Sequence, residues 1–279
     1  MRRCADTGHA GHFLVLALVL LVLGCSTPAV QPPPQPIAPP RIEANLPVIM
    51  AEADRLRAAL DEEVPQHTSC NEAGTLWIEL AQAALAKGAI IIERPQLVVV
   101  VDRNPNHQQL CIVLALPGYP WQAIGGSKVS TGQAGRRGYF ITPTGVFVHS
   151  DGILDYRAEG TFNENHIRGL GLKGSRVWDF GWQQARKGWT DDEDLAEIRL
   201  LLHATDPVLE SRLGRPASKG CVRIPAVMNR FLDSHGVLDA DYEIAAATDE
   251  RIRAVLLPDR HPTPLAGDML IVIDTSGRI

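Results

Sequence analysis

The sequence predicts a mainly β domain, built as a sandwich or barrel with flanking helices, and an N-terminal helical segment ahead of it. Three patterns carry the prediction. Short β-branched runs separated by Pro, Asn and Asp fill residues 90–116, another such run lies at residues 269–274, and two stretches of apolar residues at helical spacing precede them. β-branched side chains suit a pleated, half-buried surface, whereas apolar residues at i, i+3 and i+4 make one face of a helix.

In chain order, Arg2 and Arg3 precede an apolar run from Phe13 to Leu23. The run is shorter than the roughly 20 residues that span a bilayer and has the size of a signal-peptide core, so residues 1–24 are expected to be removed. Val22-Leu23-Gly24-Cys25 resembles a bacterial lipobox, which makes Cys25 the lipidated first residue. Leu23 stands where a small residue is usual, and an ordinary signal peptide is the alternative. Lipid at Cys25 anchors the chain to a membrane, and Ser26 beside it favours the outer membrane by analogy with enteric lipoproteins. The expected location is the cell envelope, on its periplasmic side. Residues 25–41 follow as a tether: Pro28, Pro32, Pro33, Pro34, Pro36, Pro39 and Pro40 favour an extended polyproline chain that reaches about 40 Å.

Leu46, Ile49, Met50, Ala53, Leu56 and Leu60 then recur at helical spacing, as do Trp77, Leu80, Ala81, Ala84 and Leu85 before Gly88. These predict two amphipathic helices within residues 42–92, forming either a small accessory unit or a layer packed on the sheet. Strands are predicted at Ile90 to Ile92, Leu97 to Val101, Leu110 to Leu116 and Met269 to Asp274, and a short helix from Pro225 through Phe231. The chain has no repeat at a fixed period and no glycine-rich phosphate loop.

Lys and Arg number 27 against 32 Asp and Glu, a formal charge of −5, and the longest basic cluster is a pair such as Arg136-Arg137. That balance argues against nucleic acid as a partner. His149, His166, His203 and Cys221 lack the paired spacing of a zinc site, so neither metal nor other cofactor is expected. Of five cysteines, Cys4 falls in the leader and Cys25 takes lipid. Cys70 and Cys111 either pair in an oxidising compartment or leave Cys111 as a buried thiol.

Cys221 sits in Ser218-Lys219-Gly220-Cys221-Val222-Arg223, and fourteen residues separate His203 from Ser218. A free thiol is mostly protonated at neutral pH, with a pKa of about 8.5, so a nucleophilic cysteine needs a base or nearby positive charge. His203 is the candidate base, Lys219 and Arg223 supply charge, and the amide end of the helix after Pro225 is expected to point back at the thiol. The plainer alternative makes Cys221 a small buried hydrophobe and His203 an ordinary core histidine.

This arrangement resembles the L,D-transpeptidase catalytic domain of bacterial enzymes that remodel peptidoglycan. In that family a histidine precedes Ser/Thr-x-Gly-Cys, an aliphatic residue and Arg or Asn; here His203 precedes Ser218 to Arg223 at matching spacing. Val129-Ser130-Thr131-Gly132, Thr142-Pro143-Thr144-Gly145-Val146-Phe147 and Leu213-Gly214-Arg215-Pro216 match its other segments in order. The resemblance covers about residues 95–235 and implies an L,D-transpeptidase-like domain, assigned to residues 93–279 with a C-terminal extension. It departs at Lys219, where many members carry a second histidine, and at Ala204, usually glycine, whose carbonyl can still orient His203.

The implied chemistry is a two-step acyl transfer. Cys221 attacks a tetrapeptide stem of peptidoglycan and releases D-alanine, His203 moves the proton, and the Gly220 and Cys221 amides hold the oxyanion. An amine acceptor then gives a 3-3 crosslink or protein attachment, whereas water makes the same site a carboxypeptidase or amide hydrolase. A peptidoglycan-binding lipoprotein with a degenerate site is the non-enzymatic alternative. Arg223 either binds a substrate carboxylate or braces the turn, and Ser218 fixes the loop. The stretch between Phe147 and His203, with Trp178, Trp182 and Trp189, is expected to be either a lid or a surface excursion.

Overall fold

A computed structural model describes residues 42–70, 74–190 and 194–276. The expected leader, lipobox at Cys25 and proline tether lie outside the described residues. Among those described, nine strands make two sheets flanked by helices, so the chain is mainly β with an N-terminal helical segment. Strands β1 (Gln96–Asp102), β2 (Gln109–Ala115), β3 (Gln122–Lys128), β4 (Gly145–Val148) and β9 (Met269–Ile273) form the first sheet, in the order β3-β2-β1-β9-β4. Strands β5 (Tyr156–Arg157), β6 (Arg176–Arg186), β7 (Leu195–Ala204) and β8 (Val222–Ile224) form the second, in that order. Pairing is antiparallel except for β1 with β9 and β7 with β8.

Both faces of the first sheet are buried, which explains its unbroken apolar runs. Leu97, Val99 and Val101 with Leu110, Ile112 and Leu114 face one core, where they meet α1 (Ile42–Glu63), the inner face of the second sheet and α3 (Ala226–Ser234). Val98, Val100 and Val113 face the other core against Trp77, Ala81 and Leu85 of α2 (Gly74–Lys87). The two predicted helices thus pack directly on strands. Cys70 and Cys111 are joined by a disulfide that ties the segment between α1 and α2 to β2.

Two expectations need correction. Ile90 to Ile92 form no strand: after Gly88 the chain runs irregularly to Pro95, Ile91 is exposed, and only Ile90 and Ile92 lean on α2. β1 begins beyond Pro95, which could not donate to a ladder bond. The stretch between Phe147 and His203 is neither lid nor excursion as a whole, because it supplies β5, β6 and β7, most of the second sheet. Trp178 is fully buried in the main core, Trp182 is exposed, and Trp189 packs edge-on against Phe140 at 5.2 Å.

Behind the second sheet lies a buried ionic network. Arg176, fully buried, reaches Asp155 at 2.8 Å and Asp239 at 3.2 Å, and Arg260 bonds Asp239 at 2.7 Å. His149 Nε2 lies 2.9 Å from Asp155 and its Nδ1 lies 2.7 Å from the Leu238 carbonyl. Both partners only accept, so this imidazole carries two protons. The network joins β6 to the loop after β4 and to the chain leading into α4 (Ala240–Ala245).

Candidate active site

Alternation along β7 decides which residues reach the site. Leu200 and Leu202 point into the main core, so Arg199, Leu201 and His203 lie on the opposite face. The parallel register sets His203 beside Arg223 and ends at Val222, leaving Cys221 at the mouth of β8 against the edge of β7. Its thiol donates to the Arg199 carbonyl at 3.7 Å, and the Leu201 amide also acts on the sulfur.

Three segments distant in sequence lace together around Cys221. The Gly132 amide donates to Thr142 Oγ1 at 2.8 Å, and that hydroxyl donates to the Gly220 carbonyl at 2.7 Å. The Ala217 and Ser218 amides donate to the Thr131 carbonyl, Phe140 donates to the Lys219 carbonyl, and Ser130 and Arg223 exchange both backbone bonds. A Cβ on Gly132 would strike the Phe140 carbonyl, so that position requires glycine. Gly220 has φ of 133°, and a Cβ there would meet Ile198 Cδ1 at 2.7 Å.

His203 is buried, and its Nδ1 donates to the Ala204 carbonyl at 2.8 Å. A carbonyl can only accept, so Nδ1 holds the proton and Nε2 keeps its lone pair. Burial pulls the imidazole pKa down to about 4; the Ala204 bond opposes this and Arg223 adds to it. Burial also pushes the Cys221 thiol up, the Leu201 amide and Arg223 draw it down, and Asp179 raises it further, for a net rise. At neutral pH the pair is therefore neutral thiol and neutral imidazole.

Other candidate residues divide by role. The Ser218 hydroxyl donates to the Cys221 carbonyl at 2.6 Å and accepts from the Gly220 amide at 3.1 Å, a loop-fixing arrangement. The Gly220 amide is thus already engaged, a correction to its expected place in the oxyanion hole. Lys219 is exposed, with Nζ 5.8 Å from the Tyr139 ring centre. Arg223 Nη1 lies 3.5 Å from the Ala217 carbonyl, while its buried Nε has no hydrogen-bond partner among the described residues. The amide end of α3 is not aimed at the thiol: Ala226 donates to the Glu210 carboxylate at 2.6 Å, and β8 intervenes.

Three neighbours were not anticipated from sequence. Asp179, buried on β6, takes two bonds from Arg199 Nε at 3.0 and 2.8 Å. Tyr156 on β5 has its phenol pKa raised by burial first, then by the negative charges of Asp179 and of an ionised Cys221. Only the period-two alternation of β7, with Arg199 four residues before His203, could have signalled Arg199; Asp179 and Tyr156 sit in a stretch that lacked any motif.

No family model matches the chain, and no curated protein matches it. Among solved structures it is similar to an L,D-transpeptidase from Mycobacterium smegmatis, with 14% identity, a TM-score of 0.29, and coverage of 64% of this chain and 59% of that one. The chain thus spans less than two thirds of that neighbour's length. Likeness at this level carries no argument about activity.

Proposed function

We propose that the protein is a cysteine-dependent acyltransferase of the L,D-transpeptidase kind, acting on peptidoglycan stem peptides. The observation that carries this reading is the lacing of the three motif segments around Cys221, with His203 on the neighbouring strand β7 in the tautomer that leaves Nε2 unprotonated. Cys221 Sγ attacks the carbonyl between the L-centre of diaminopimelate and the terminal D-alanine of a tetrapeptide. A C–S bond forms, His203 takes the thiol proton and returns it to the departing amine, and D-alanine leaves. An acceptor amine then breaks the thioester to give a 3-3 crosslink or a protein attachment; water in its place gives a tripeptide.

Because Gly220 donates to Ser218, the oxyanion falls first to the Cys221 amide, a contribution of about 3 kcal/mol for one well-placed donor. Arg223, electrostatically coupled to both His203 and Cys221, favours the thiolate as it forms. The same proposal places the mature chain in the cell envelope, lipid-anchored through Cys25 on the outer membrane's periplasmic side. The Cys70–Cys111 disulfide supports an oxidising compartment.

Mass spectrometry of purified muropeptides incubated with the full chain and its Cys221→Ala form tests the reaction. A Cys221-dependent 3-3 dimer is expected. A Cys221-dependent tripeptide alone would convert the reading to hydrolysis, and product that persists in the variant would exclude the cysteine mechanism.

A further inference from the structure

One buried carboxylate near Cys221 has no part in the acyl transfer proposed above. Asp179 on β6 is 2% exposed. Burial pushes the Cys221 thiol pKa up, and the negative charge of Asp179 pushes it further, against the thiolate that must attack. A buried charge is costly unless it is paired and hydrogen-bonded, so a carboxylate that opposes the chemistry must be held there by what it organises.

β6 bulges where Asp179 sits. Phe180 and Gly181 stand opposite the single residue Leu200 of β7, between the pairs Asp179 with Leu201 and Trp182 with Arg199. Gly181 takes a φ of 75°, and its amide donates to Asp179 Oδ1 at 2.9 Å, so the carboxylate closes the bulge. Arg199 Nε donates to both oxygens of the same carboxylate, at 3.0 and 2.8 Å, and the guanidinium lies 5.7 Å from the Trp182 ring centre. Asp179 is held in turn from behind. Its amide donates to Asp155 Oδ1 at 2.9 Å, and Asp155 Oδ2 accepts from Arg176 Nε at 2.9 Å, so hydrogen bonds run without a break from the buried ionic network to β7.

The stretch of β7 fixed in this way is the one that meets the sulfur. The Arg199 carbonyl accepts from the Cys221 thiol and the Leu201 amide acts on it, one residue on either side of Leu200 opposite the bulge. We propose that Asp179 is a positioning residue for Cys221: it fixes the β6 bulge and Arg199, so that β7 presents the Arg199 carbonyl and the Leu201 amide to the sulfur. The role in catalysis presupposes the attack by Cys221 proposed above. Besides Asp179, the ionisable groups around the sulfur are Arg223 of β8, Tyr156 of β5, and Arg199 and the neutral His203 of β7. Arg199, paired with Asp179, offsets its charge.

The full chain and its Asp179→Asn and Arg199→Gln forms test this through two readouts: the pH profile of Cys221 alkylation by iodoacetamide, and kcat and KM on a muropeptide donor. Asn keeps the shape and removes the charge, so in Asp179→Asn the alkylation profile should move to lower pH, with a rate about threefold or more higher at pH 7. Its kcat should fall about tenfold with KM nearly unchanged, because a misplaced nucleophile loses rate rather than affinity. Arg199→Gln leaves the carboxylate unopposed and should move the alkylation profile to higher pH, with a similar fall in kcat. In the double variant the alkylation profile should return toward that of the unsubstituted chain, and the loss of kcat should not exceed that of either single change. Profiles that stay put, or that move the same way in both single variants, overturn the role, as does an unchanged kcat. Should Asp179→Asn fail to fold, Arg199→Gln, whose side chain is 44% exposed, carries the test by the direction of its profile. Opposed profiles with no Cys221-dependent product from the unsubstituted chain would remove acyl transfer and keep Asp179 as the residue that holds Cys221.

Discussion

Burial sets the protonation of both His203 and Cys221. With the His203 pKa near 4, the imidazole is neutral throughout the neutral range, and the raised Cys221 pKa keeps the sulfur a thiol there; in the proposed acyl transfer His203 would act as a weak base. The acid limb of the acylation rate should therefore fall near pH 4, read as thioester formation by mass spectrometry under single turnover; a limb near the ordinary histidine value of about 6.5 would mean that the base lies elsewhere. His203→Ala should slow acylation by about 10²–10⁴. Alkylation of Cys221 by iodoacetamide should be slow at pH 7 and still climbing past the ordinary thiol pKa of about 8.5, because thiolate is the reacting form. A plateau near pH 6 would show a stable thiolate–imidazolium pair instead.

Thr142 is the bolt between elements. Its hydroxyl both accepts from Gly132 and donates to the Gly220 carbonyl, so Thr142→Val would orphan two buried backbone groups at a cost of about 1–3 kcal/mol each. The expected result is a lower Tm together with a fall in kcat that exceeds the change in KM, measured on a muropeptide donor. Reduction of the Cys70–Cys111 disulfide, which closes a 41-residue separation, should cost about 4 kcal/mol by loop entropy, checked by denaturant unfolding with and without reductant. Much of this architecture was legible: the stripes from Leu46 to Leu60 and from Trp77 to Leu85, and the β-branched runs of β1, β2 and β9, follow from local periodicity. His203 and Cys221 were legible as candidate residues, since both sit in motifs. The second sheet was not legible, because β6 and β7 carry Gln, Arg, Gly and Trp on a face that covers a site rather than a core, and their alternation is broken by the bulge between Asp179 and Trp182. Tyr156 and Asp179 come within electrostatic range of Cys221 through strand pairing, which no linear spacing encodes.

Across the whole molecule, two histidines oppose one another in the pH dependence of stability. His149 is held doubly protonated between Asp155 and the Leu238 carbonyl; burial lowers its pKa, but Asp155 and Asp239 outweigh this and raise it. Its contribution is fully present below the unfolded value of about 6.5 and is lost as pH rises through the folded value. His203 is held neutral, so its site is stable above pH 6.5 and loses about 3 kcal/mol as pH falls to about 4, where the folded imidazole takes up its proton. Thermal unfolding against pH should show both limbs, and His149→Gln should flatten the alkaline one while leaving the acid one in place; an unchanged alkaline limb would remove His149 from it.

The order of the first sheet, β3-β2-β1-β9-β4, has its latest-made strand near the centre. During synthesis, β1 and β4 must wait with open edges until residues 269–273 emerge to join them. The segment running into β4 carries Thr142, the bolt on the Cys221 loop, so an unfinished chain lacks the frame that holds that loop. The order of synthesis thus sets the order of assembly: the frame around Cys221 is complete only once nearly the whole polypeptide has been delivered.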